Sequence, residues 1–362
     1  MTDSLSRLFV PFDRARLSRR QLLQSAGALA LVPASALTAP APESSKNGWI
    51  GAPPALPFEP TGWKTVLLDH LSCRVEDQEK EAAFYNALMN WAVRQDSGGE
   101  AILDIGDWGG IVIRGGYQPS ESELAAQRAQ HERRVAMART RGLEVGPFVP
   151  RKALFDSVCW GIEPWNARTV EAALKARGLH PVPDNHGSDF ESFHIKDPDG
   201  FDVQISNGNR HNRRTTAAHG RLAVAAPFAH TDWKTIWLDH ISYQCSDYRR
   251  TVAFYQALLG WQPAVDSGKS NQVRIGDLGD TIIRNHFGGG HGVLIDHISF
   301  GIEPFGPNEV RTALEKRGLP ASPDTGGSES IDTAPYKSYH TMTPNGFDLQ
   351  VSNANSTNRG ES

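Results

Sequence analysis

The stretch "WKTIWLDHIS", from Trp233 to Ser242, decides the fold, because a close copy, "WKTVLLDHLS", runs from Trp63 to Ser72. Both are apolar runs that contain an Asp-His pair, a pattern typical of a buried strand. Similar matches continue downstream, so the chain contains a long internal repeat. Each copy is long enough to form its own core. We therefore predict two homologous domains, at residues 61–209 and 231–355.

A second repeated stretch closes each copy. "FHIKDPDGFDVQISN" (Phe193 to Asn207) and "YHTMTPNGFDLQVSN" (Tyr339 to Asn353) each predict a strand, a Pro-(Asp/Asn)-Gly turn and a second strand. Each hairpin carries a His before the turn and a Gln after it. Between the opening strand and the hairpin, each copy shows a helical pattern, short strands, another strand and another helix. The order predicts four βαβββ modules along the chain.

Composition excludes several classes of function. The chain has 362 residues, of which 39% are hydrophobic and 22% charged, as in ordinary globular proteins. The net charge is -4 and no basic run interleaved with aromatic residues is present, so nucleic acid is not an expected partner. The three cysteines, Cys73, Cys159 and Cys245, lack CxxC spacing and are expected to be packed thiols.

The N-terminus has the features of a targeting segment. Ser18, Arg19 and Arg20 precede a short Ala/Leu-rich run that ends in small residues and prolines. The run is too short and too interrupted to span a bilayer, so we expect no integral membrane protein. It is typical of a twin-arginine export signal over residues 1–39, which predicts a periplasmic or extracellular protein. A disordered basic tail is the alternative.

The remaining segments are predicted as linkers and one insertion. Residues 40–60 are rich in Pro, residues 210–230 are polar and rich in Ala, and residues 356–362 form a tail. The first copy also carries an insertion at about residues 115–150, whose charged pattern predicts an exposed helix. We interpret this helix as an arm for a homodimer or for domain packing. A cover for a substrate is the alternative.

The module pattern is similar to a known family. A βαβββ module that opens with Asp-His and closes on a "DPDG" or "TPNG" hairpin resembles the vicinal oxygen chelate superfamily, which includes glyoxalase I, bleomycin-resistance proteins and extradiol dioxygenases. The resemblance covers about Trp63 to Asn355. It implies an α+β fold of four βαβββ modules, paired into two domains with cupped mixed sheets. It also implies one divalent metal, bound by the first strand of each module and the last strand of the second.

In the second domain, the ligand positions implied by the resemblance hold His240, His297 and Gln350. Two imidazoles and an amide oxygen can bind Fe(II), Mn(II), Zn(II) or Ni(II), and we favour Fe(II). The family more often has Glu in the last position. Gln cannot offset a metal charge, so a lower metal affinity is expected, although some glyoxalase-type members use Gln as a ligand.

The first domain departs from this pattern. Its ligand positions hold His70, Ser157 and Gln204, so we expect no tight metal site there. The asymmetry resembles extradiol dioxygenases of the four-module type, whose N-terminal half is a metal-free scaffold. The aspartates that precede the His or Ser positions are expected to point to the opposite face of each sheet, because side chains alternate along a strand; they are Asp69, Asp156, Asp239 and Asp296.

Two further residues are candidates for chemistry. His340 lies before the turn of the second hairpin, where it could be a fourth ligand, a catalytic acid or base, or a structural strand residue. Arg284 ends an inner strand, as Arg114 does in the first domain, and it would bind a substrate carboxylate if it faces the cup.

Taken with the resemblance, these residues predict a metal-dependent enzyme that acts on a small substrate with two adjacent oxygens. Ring cleavage of the extradiol type on an aromatic substrate is the favoured reaction. A glyoxalase-like lyase or isomerase is the second hypothesis. The third is a metal-free protein that sequesters a small molecule in the cup, and it is favoured by the Gln in both last positions.

Overall fold

The computed structural model describes residues 48–140, 148–185, 189–211, 220–286, 292–326 and 330–358. The predicted export signal lies outside the described residues, as do parts of the predicted linkers and tail.

The first repeat copy forms one mixed sheet of eight strands, in the order β2-β3-β4-β1-β5-β8-β7-β6. The central strand β1 is parallel to β4 and antiparallel to β5. Two βαβββ modules therefore share one sheet. In chain order the elements are β1 (Lys64–Val75), α1 (Gln78–Met89), β2 (Ala92–Asp96), β3 (Glu100–Asp104), β4 (Gly110–Arg114), α2 (Glu121–Arg139), β5 (Ala153–Glu163), α3 (Ala167–Ala176), β6 (Val182–Pro183), β7 (Ser192–Lys196) and β8 (Asp202–Ser206).

The second copy repeats this architecture, in the order β10-β11-β12-β9-β13-β16-β15-β14. Together the two sheets confirm the predicted α+β fold of four βαβββ modules. The elements of the second sheet are β9 (Lys234–Cys245), α4 (Tyr248–Leu259), β10 (Gln262–Asp266), β11 (Ser270–Ile275), β12 (Gly279–Asn285), β13 (Leu294–Glu303), α5 (Pro307–Glu315), β14 (Ser322–Asp324), β15 (Ser338–Met342) and β16 (Asp348–Ser352).

The first helix of each domain begins and ends in the same way. The Asp77 side chain accepts a hydrogen bond from a backbone N–H of the first turn of α1, and Asp247 does so for α4. The helices end at Asn90 and Gly260, which adopt left-handed conformations with φ of 55° and 70°. These matching caps place α1 and α4 at equivalent positions on their sheets.

The two domains share one continuous hydrophobic core, joined by reciprocal contacts. Trp91 Nε1 donates to Thr235 Oγ1 at 2.9 Å, and Trp261 Nε1 donates to Thr65 Oγ1 at the same distance. Each indole therefore satisfies its only donor in the other domain. Because both contacts are buried, the two sheets are held in a fixed relation to each other.

The described parts of the predicted linkers pack against the domains. Trp49 is buried against Tyr248 and beneath the Arg249 guanidinium, which lies 4.7 Å from its ring centre. This segment precedes the first domain but contacts the second. Conversely, the segment before the second domain contacts the first, since Ala223 N donates to Asp96 Oδ2 at 3.1 Å. Each linker segment therefore contacts the domain that it does not lead into.

Other sequence predictions can be compared with the structure at this level. The predicted helix of the insertion is α2, and its charged residues are largely exposed. Cys73, Cys159 and Cys245 are buried thiols, as expected. Over the residues that the structure describes, we find no helix with the length and apolar character needed to cross a membrane.

Candidate metal site

Strand register brings the predicted site residues of the second domain onto one face. His240, Ser299, Gln350 and His340 lie opposite one another on the four neighbouring strands β9, β13, β16 and β15. Side chains at directly paired positions share a face of the sheet. His297 lies two residues before Ser299 on β13 and so shares its face. This face of the sheet, which we call the cup, therefore carries predicted residues of four different strands.

His240 and His297 converge on a common point. Their Nε2 atoms lie 3.0 Å apart, and their rings are perpendicular with centres 5.1 Å apart. His240 is buried, whereas the His297 side chain is 13% exposed. Two imidazole nitrogens at this distance either share a proton or bind the same ion.

The Gln350 amide has its orientation fixed by its nitrogen. Nε2 donates to Ser338 Oγ at 2.6 Å and to Tyr336 OH at 3.2 Å. Oε1 is also buried, but it has no hydrogen-bond partner among the described residues. A buried amide oxygen without a partner costs roughly 1–3 kcal/mol, so such atoms call for an explanation.

These three residues fit a divalent metal. Nitrogen ligands lie about 2.0–2.1 Å from a bound transition metal, so two of them at roughly a right angle are about 3 Å apart. The two Nε2 atoms meet this condition. The partnerless Oε1 of Gln350 supplies a third neutral donor, of a kind that suits Fe(II), Mn(II), Zn(II) or Ni(II).

The predicted orientation of the aspartates is wrong for three of the four. The pairing of β1 with β5 and of β9 with β13 skips each of them, so that each occupies a β-bulge; they are Asp69, Asp156, Asp239 and Asp296. A bulge inserts one extra residue and interrupts the simple alternation of faces. As a result, three of these carboxylates lie against the imidazole of the residue that follows them.

Asp239 and Asp296 lie behind the two candidate histidine ligands. Asp239 Oδ1 lies 3.3 Å from His240 Nδ1, and Asp296 Oδ2 lies 3.5 Å from His297 Nδ1. Carboxylates in this position orient ligand imidazoles and raise their basicity. They also place negative charge near the three neutral donors, which offsets in part the absence of a Glu at position 350.

The pKa of Asp296 reflects its surroundings. Burial acts to raise the pKa, but Arg284, His297 and Ser242 together outweigh burial and hold the pKa well below its usual range. Asp296 is therefore a carboxylate at neutral pH.

His340 is held between two carboxylates. Nδ1 lies 2.9 Å from Asp348 Oδ1, and Nε2 lies 3.6 Å from Asp324 Oδ2. Burial acts to lower the pKa of His340, but Asp348 and Asp324 outweigh it and raise the pKa to about 10. The His340 ring contacts His297 edge to face, with centres 5.1 Å apart. Since both nitrogens face acids, this arrangement argues against His340 as a fourth ligand, and its role as an acid or base or as a structural strand residue stays a prediction.

Arg284 faces the cup. Its guanidinium donates to the hydroxyl of Ser242, which is paired with His297 across β9 and β13. Arg114 makes the equivalent contact in the first domain, donating to Ser72 Oγ at 2.6 Å. Binding of a substrate carboxylate by Arg284 stays a prediction.

The first domain keeps the frame of the site without its second imidazole. Ser157 lies where the second domain has His297, and Gln204 Nε2 donates to Ser192 Oγ at 2.8 Å. His194 lies between Asp202 and Asp184, at 2.8 and 3.1 Å, much as His340 lies between its two acids.

The first domain does contain one group of potential metal ligands. Single atoms of Asp69, His70 and Cys159 lie within 4.8 Å of one another. The hydrogen bond of 2.7 Å between Asp69 Oδ1 and His70 Nδ1 accounts for much of this proximity. The absence of a tight metal site in this domain stays a prediction.

Tyr336 is a site residue that the sequence reasoning missed. Its hydroxyl donates to Asp239 Oδ2 at 2.6 Å and accepts from Gln350. It therefore links the residue behind His240 to the third candidate ligand. By alignment of the hairpins, Phe190 holds the same place in the first domain. This difference between the copies, like that between His297 and Ser157, was the available signal.

Comparisons with known proteins agree with this architecture. No family model matches the sequence, and no curated protein matches it. Solved structures do match. The Mn(II)-bound glyoxalase from Novosphingobium aromaticivorans superimposes with a TM-score of 0.52 at 11% identity, over 80% of this chain and 82% of that one.

Two dioxygenases are similar to a comparable degree. The 2,3-dioxygenase LapB from Pseudomonas sp. KL28 gives a TM-score of 0.53 at 14% identity, over 80% of this chain and 92% of that one. Homoprotocatechuate 2,3-dioxygenase from Brevibacterium fuscum gives 0.53 at 14% identity, over 82% of each chain. At these identities the likeness shows the fold. The chain is therefore a tandem, two-domain protein with the vicinal oxygen chelate fold.

Proposed function

We propose that this protein is a metal-dependent enzyme that acts on a small substrate with two adjacent oxygens, at the cup of its second domain. His240, His297 and Gln350 are the proposed ligands of one divalent metal, with Fe(II) favoured. The favoured reaction is ring cleavage of the extradiol type, in which both atoms of O2 enter the cleaved product.

One observation carries this proposal. The two Nε2 atoms of His240 and His297 converge at 3.0 Å, while the buried Oε1 of Gln350 has no hydrogen-bond partner among the described residues. A shared proton would explain the imidazole pair alone. An ion explains the pair and the amide oxygen together.

Other side chains of the second domain would bind the substrate, hold a proton and orient the ligands. A divalent metal, when bound, supplies a Lewis acid for the substrate oxygens. Arg284, on the same face, is placed to hold an anionic group of the substrate. His340 would hold or move a proton beside His297, because its ring contacts that of His297 and the two acids at its nitrogens favour its protonated form. Asp239 and Asp296 orient the two ligand imidazoles.

A glyoxalase-like lyase or isomerase is the second candidate. Gln350 supports it, because the amide replaces the carboxylate that is more common in this position of the family. The TM-score to the Mn(II)-bound glyoxalase, 0.52, is nearly the same as the 0.53 to each of the two dioxygenases. Neither reaction is favoured by fold similarity alone, and ring cleavage is preferred here for the four-module layout.

Metal analysis tests the site directly. Purified wild-type protein should contain about one divalent ion per chain after loading with Fe(II) or Co(II), and His297→Ala should remove it. His70→Ala is the control, since His70 holds in the first domain the place that His240 holds in the second, and its loss should leave the metal content unchanged. Stoichiometric metal in His297→Ala would reject the assignment.

Substrate assays separate the candidate functions. Dioxygen uptake in step with the loss of a catechol would support ring cleavage. Conversion of a hemithioacetal without dioxygen uptake would support the glyoxalase-like reaction. A wild-type protein that takes up no metal but binds an aromatic ligand would instead be the metal-free sequestering protein.

A further inference from the structure

The insertion of the first domain extends to the candidate site of the second. In the first domain, β4 ends at Arg114 and β5 begins at Ala153, with α2 between them. In the second domain, the equivalent strands end at Asn285 and begin at Leu294, so this copy has no room for such a helix. Only the first domain can therefore supply the contacts described next.

Helix α2 fixes the backbone of Arg151. The Gln127 side chain accepts from Arg151 N at 2.8 Å through Oε1, and it donates to Arg151 O at 3.1 Å through Nε2. One amide thus satisfies both polar backbone groups of one residue. This paired contact holds Arg151 at a defined position next to the second domain.

The Arg151 side chain crosses the boundary between the domains. Nη1 donates to the carbonyl of Ile295 at 3.2 Å, and the guanidinium carbon lies 5.9 Å from the centre of the Phe347 ring. Ile295 directly precedes Asp296 and His297 on β13. Phe347 directly precedes β16, the strand that carries Gln350. Arg151 therefore bridges the two strands that hold two of the three proposed ligands.

The backbone around Arg151 also fits closely to the last hairpin. Lys152 N donates to Asn345 O at 2.8 Å. A side-chain carbon added at Gly346 would lie 3.3 Å from Arg151 Cα, which is tighter than an ordinary contact. The turn of the hairpin therefore rests on the end of the insertion.

Charge strengthens this contact. Burial lowers the pKa of Arg151 from its usual value, while Asp296 and Asp348 are among the carboxylates that act in the opposite direction. Asp296 lies behind His297, and Asp348 binds His340. The guanidinium is thus close to the acid behind His297 and to one of the two acids that hold His340.

We infer that Arg151 is a positioning residue for the metal site of the second domain, contributed by the insertion of the first. This inference rests on the proposed function. Arg151 acts by holding β13 and the β15–β16 hairpin in register, so that His297 and Gln350 meet at one point. The first domain, with its incomplete set of ligand positions, takes part in the site in this way.

Titration with Co(II) tests the inference, because the visible spectrum of the bound ion reports ligand geometry independently of activity. Arg151→Met removes the hydrogen bond and the charge but keeps an unbranched apolar side chain in place of the first four atoms of the arginine side chain. We expect a loss of Co(II) affinity of roughly 10–100-fold, the scale seen when groups that support metal ligands are removed, together with a changed spectrum. Gln127→Ala should act in the same direction with a smaller effect.

Two further variants complete the design. Arg151→Lys keeps the charge and should recover part of the affinity. Arg139→Met, at the exposed end of α2, is the matched control and should bind Co(II) as the wild type does. If Arg151→Met does not fold, Arg151→Lys and Gln127→Ala carry the test, and a lower affinity in both with the fold retained supports the inference.

The outcomes separate the inference from the proposed function. The inference alone is overturned if the wild-type protein binds Co(II) through His297 and the folded Arg151 and Gln127 variants bind it with the same affinity and the same spectrum. A wild-type protein that binds no Co(II), or binds it equally after His297→Ala, overturns the proposed function and this inference with it.

Discussion

Asn345, at the tip of the last hairpin of the second domain, donates a hydrogen bond of 2.8 Å from Nδ2 to the buried carboxylate of Glu81 on the first helix of the first domain. The backbone N–H of Asn345 donates to the same oxygen at 3.2 Å. The other hairpin makes an equivalent contact, since Asp199 Oδ2 accepts from Ser246 N at 2.8 Å at the start of α4. Each hairpin therefore carries the His and Gln of its own domain, while its turn contacts the first helical segment of the other domain.

Glu81 should make stability depend on pH. Burial raises the pKa of Glu81 above its usual value, although hydrogen bonds from Asn345 and Thr343 act in the opposite direction. The folded protein therefore loses stability as the pH rises from about 4.3, the usual pKa of an unfolded glutamate, through the raised value. Glu81→Gln removes this loss. Relative to wild type, its free energy of unfolding should therefore increase between pH 4.5 and pH 7.5.

Urea unfolding at the two pH values measures this difference. Glu121→Gln, at an exposed position of α2, is the control and should show little change with pH. A difference between Glu81→Gln and wild type that is the same at both pH values would contradict the prediction.

The reciprocal indole contacts should contribute to stability by similar amounts. Thr235→Val leaves the buried Trp91 N–H without its acceptor, and Thr65→Val does the same to Trp261. An unsatisfied buried donor costs about 1–3 kcal/mol, so each variant should lower the free energy of unfolding by that amount. Chemical denaturation of the two variants checks this. A variant as stable as wild type would show that its indole finds another acceptor.

His340 should matter for turnover and not for metal binding. Both of its nitrogens are directed at Asp348 and Asp324, so His340→Ala should retain the metal. As an acid or base, its loss should lower turnover by roughly 10²–10⁴-fold. His194→Ala changes the equivalent residue of the first domain and should leave turnover near the wild-type value. Bound metal and turnover, measured together, decide the role, and unchanged turnover in His340→Ala would leave it a strand residue.

Export should depend on Arg19 and Arg20. The twin-arginine route reads the guanidinium pair, so replacing both with Lys should leave the precursor in the cytoplasm. The same change at Arg14 and Arg16 is the control and should not block export. Fractionation of cells that express each variant measures this. Normal export of the first variant would show that the segment is a different kind of tail.

The repeat made most of the fold predictable. Two copies of one strand pattern and one hairpin predicted the four modules, and the resemblance to the vicinal oxygen chelate superfamily implied the grouping of His240, His297 and Gln350. Periodicity alone could not place Asp239 or Asp296. Each lies at a β-bulge, and a bulge is a local change of register that a run of alternating residues does not reveal.

Contacts between segments far apart in the sequence were also beyond prediction. Trp49 lies in a stretch that we predicted as a linker, yet it is buried against the second domain. Arg151 lies at the end of an insertion that has no counterpart in the repeat. Such contacts depend on how the two domains pack, and this packing leaves no periodic pattern in either segment.

The structure explains why position 350 carries an amide and not a carboxylate. Ser338 Oγ donates its one hydrogen to the carbonyl of Asp324 at 2.7 Å, and Tyr336 OH donates its hydrogen to Asp239 at 2.6 Å. Both hydroxyl oxygens therefore present lone pairs to position 350. The Gln350 amide meets them with the two hydrogens of Nε2, at 2.6 and 3.2 Å. A glutamate has no hydrogen to donate when it is ionised.

Gln350→Glu should therefore lower stability. Its negative charge by itself would favour metal binding, but because the lone pairs of Ser338 and Tyr336 repel the carboxylate, we expect no tighter metal binding. An ionised carboxylate facing the lone pairs of Ser338 and Tyr336 should reduce the free energy of unfolding by about 1–3 kcal/mol at pH 7.5. Gln204→Glu is the matched control. In the first domain, Ser192 is bonded as Ser338 is in the second, but Phe190 stands in place of the tyrosine. Only one hydroxyl then faces the carboxylate, so the loss of unfolding free energy should be smaller. Urea unfolding and Co(II) titration of both variants measure the two effects, and a stable Gln350→Glu that binds Co(II) more tightly than wild type would show that the amide hydrogens are not required.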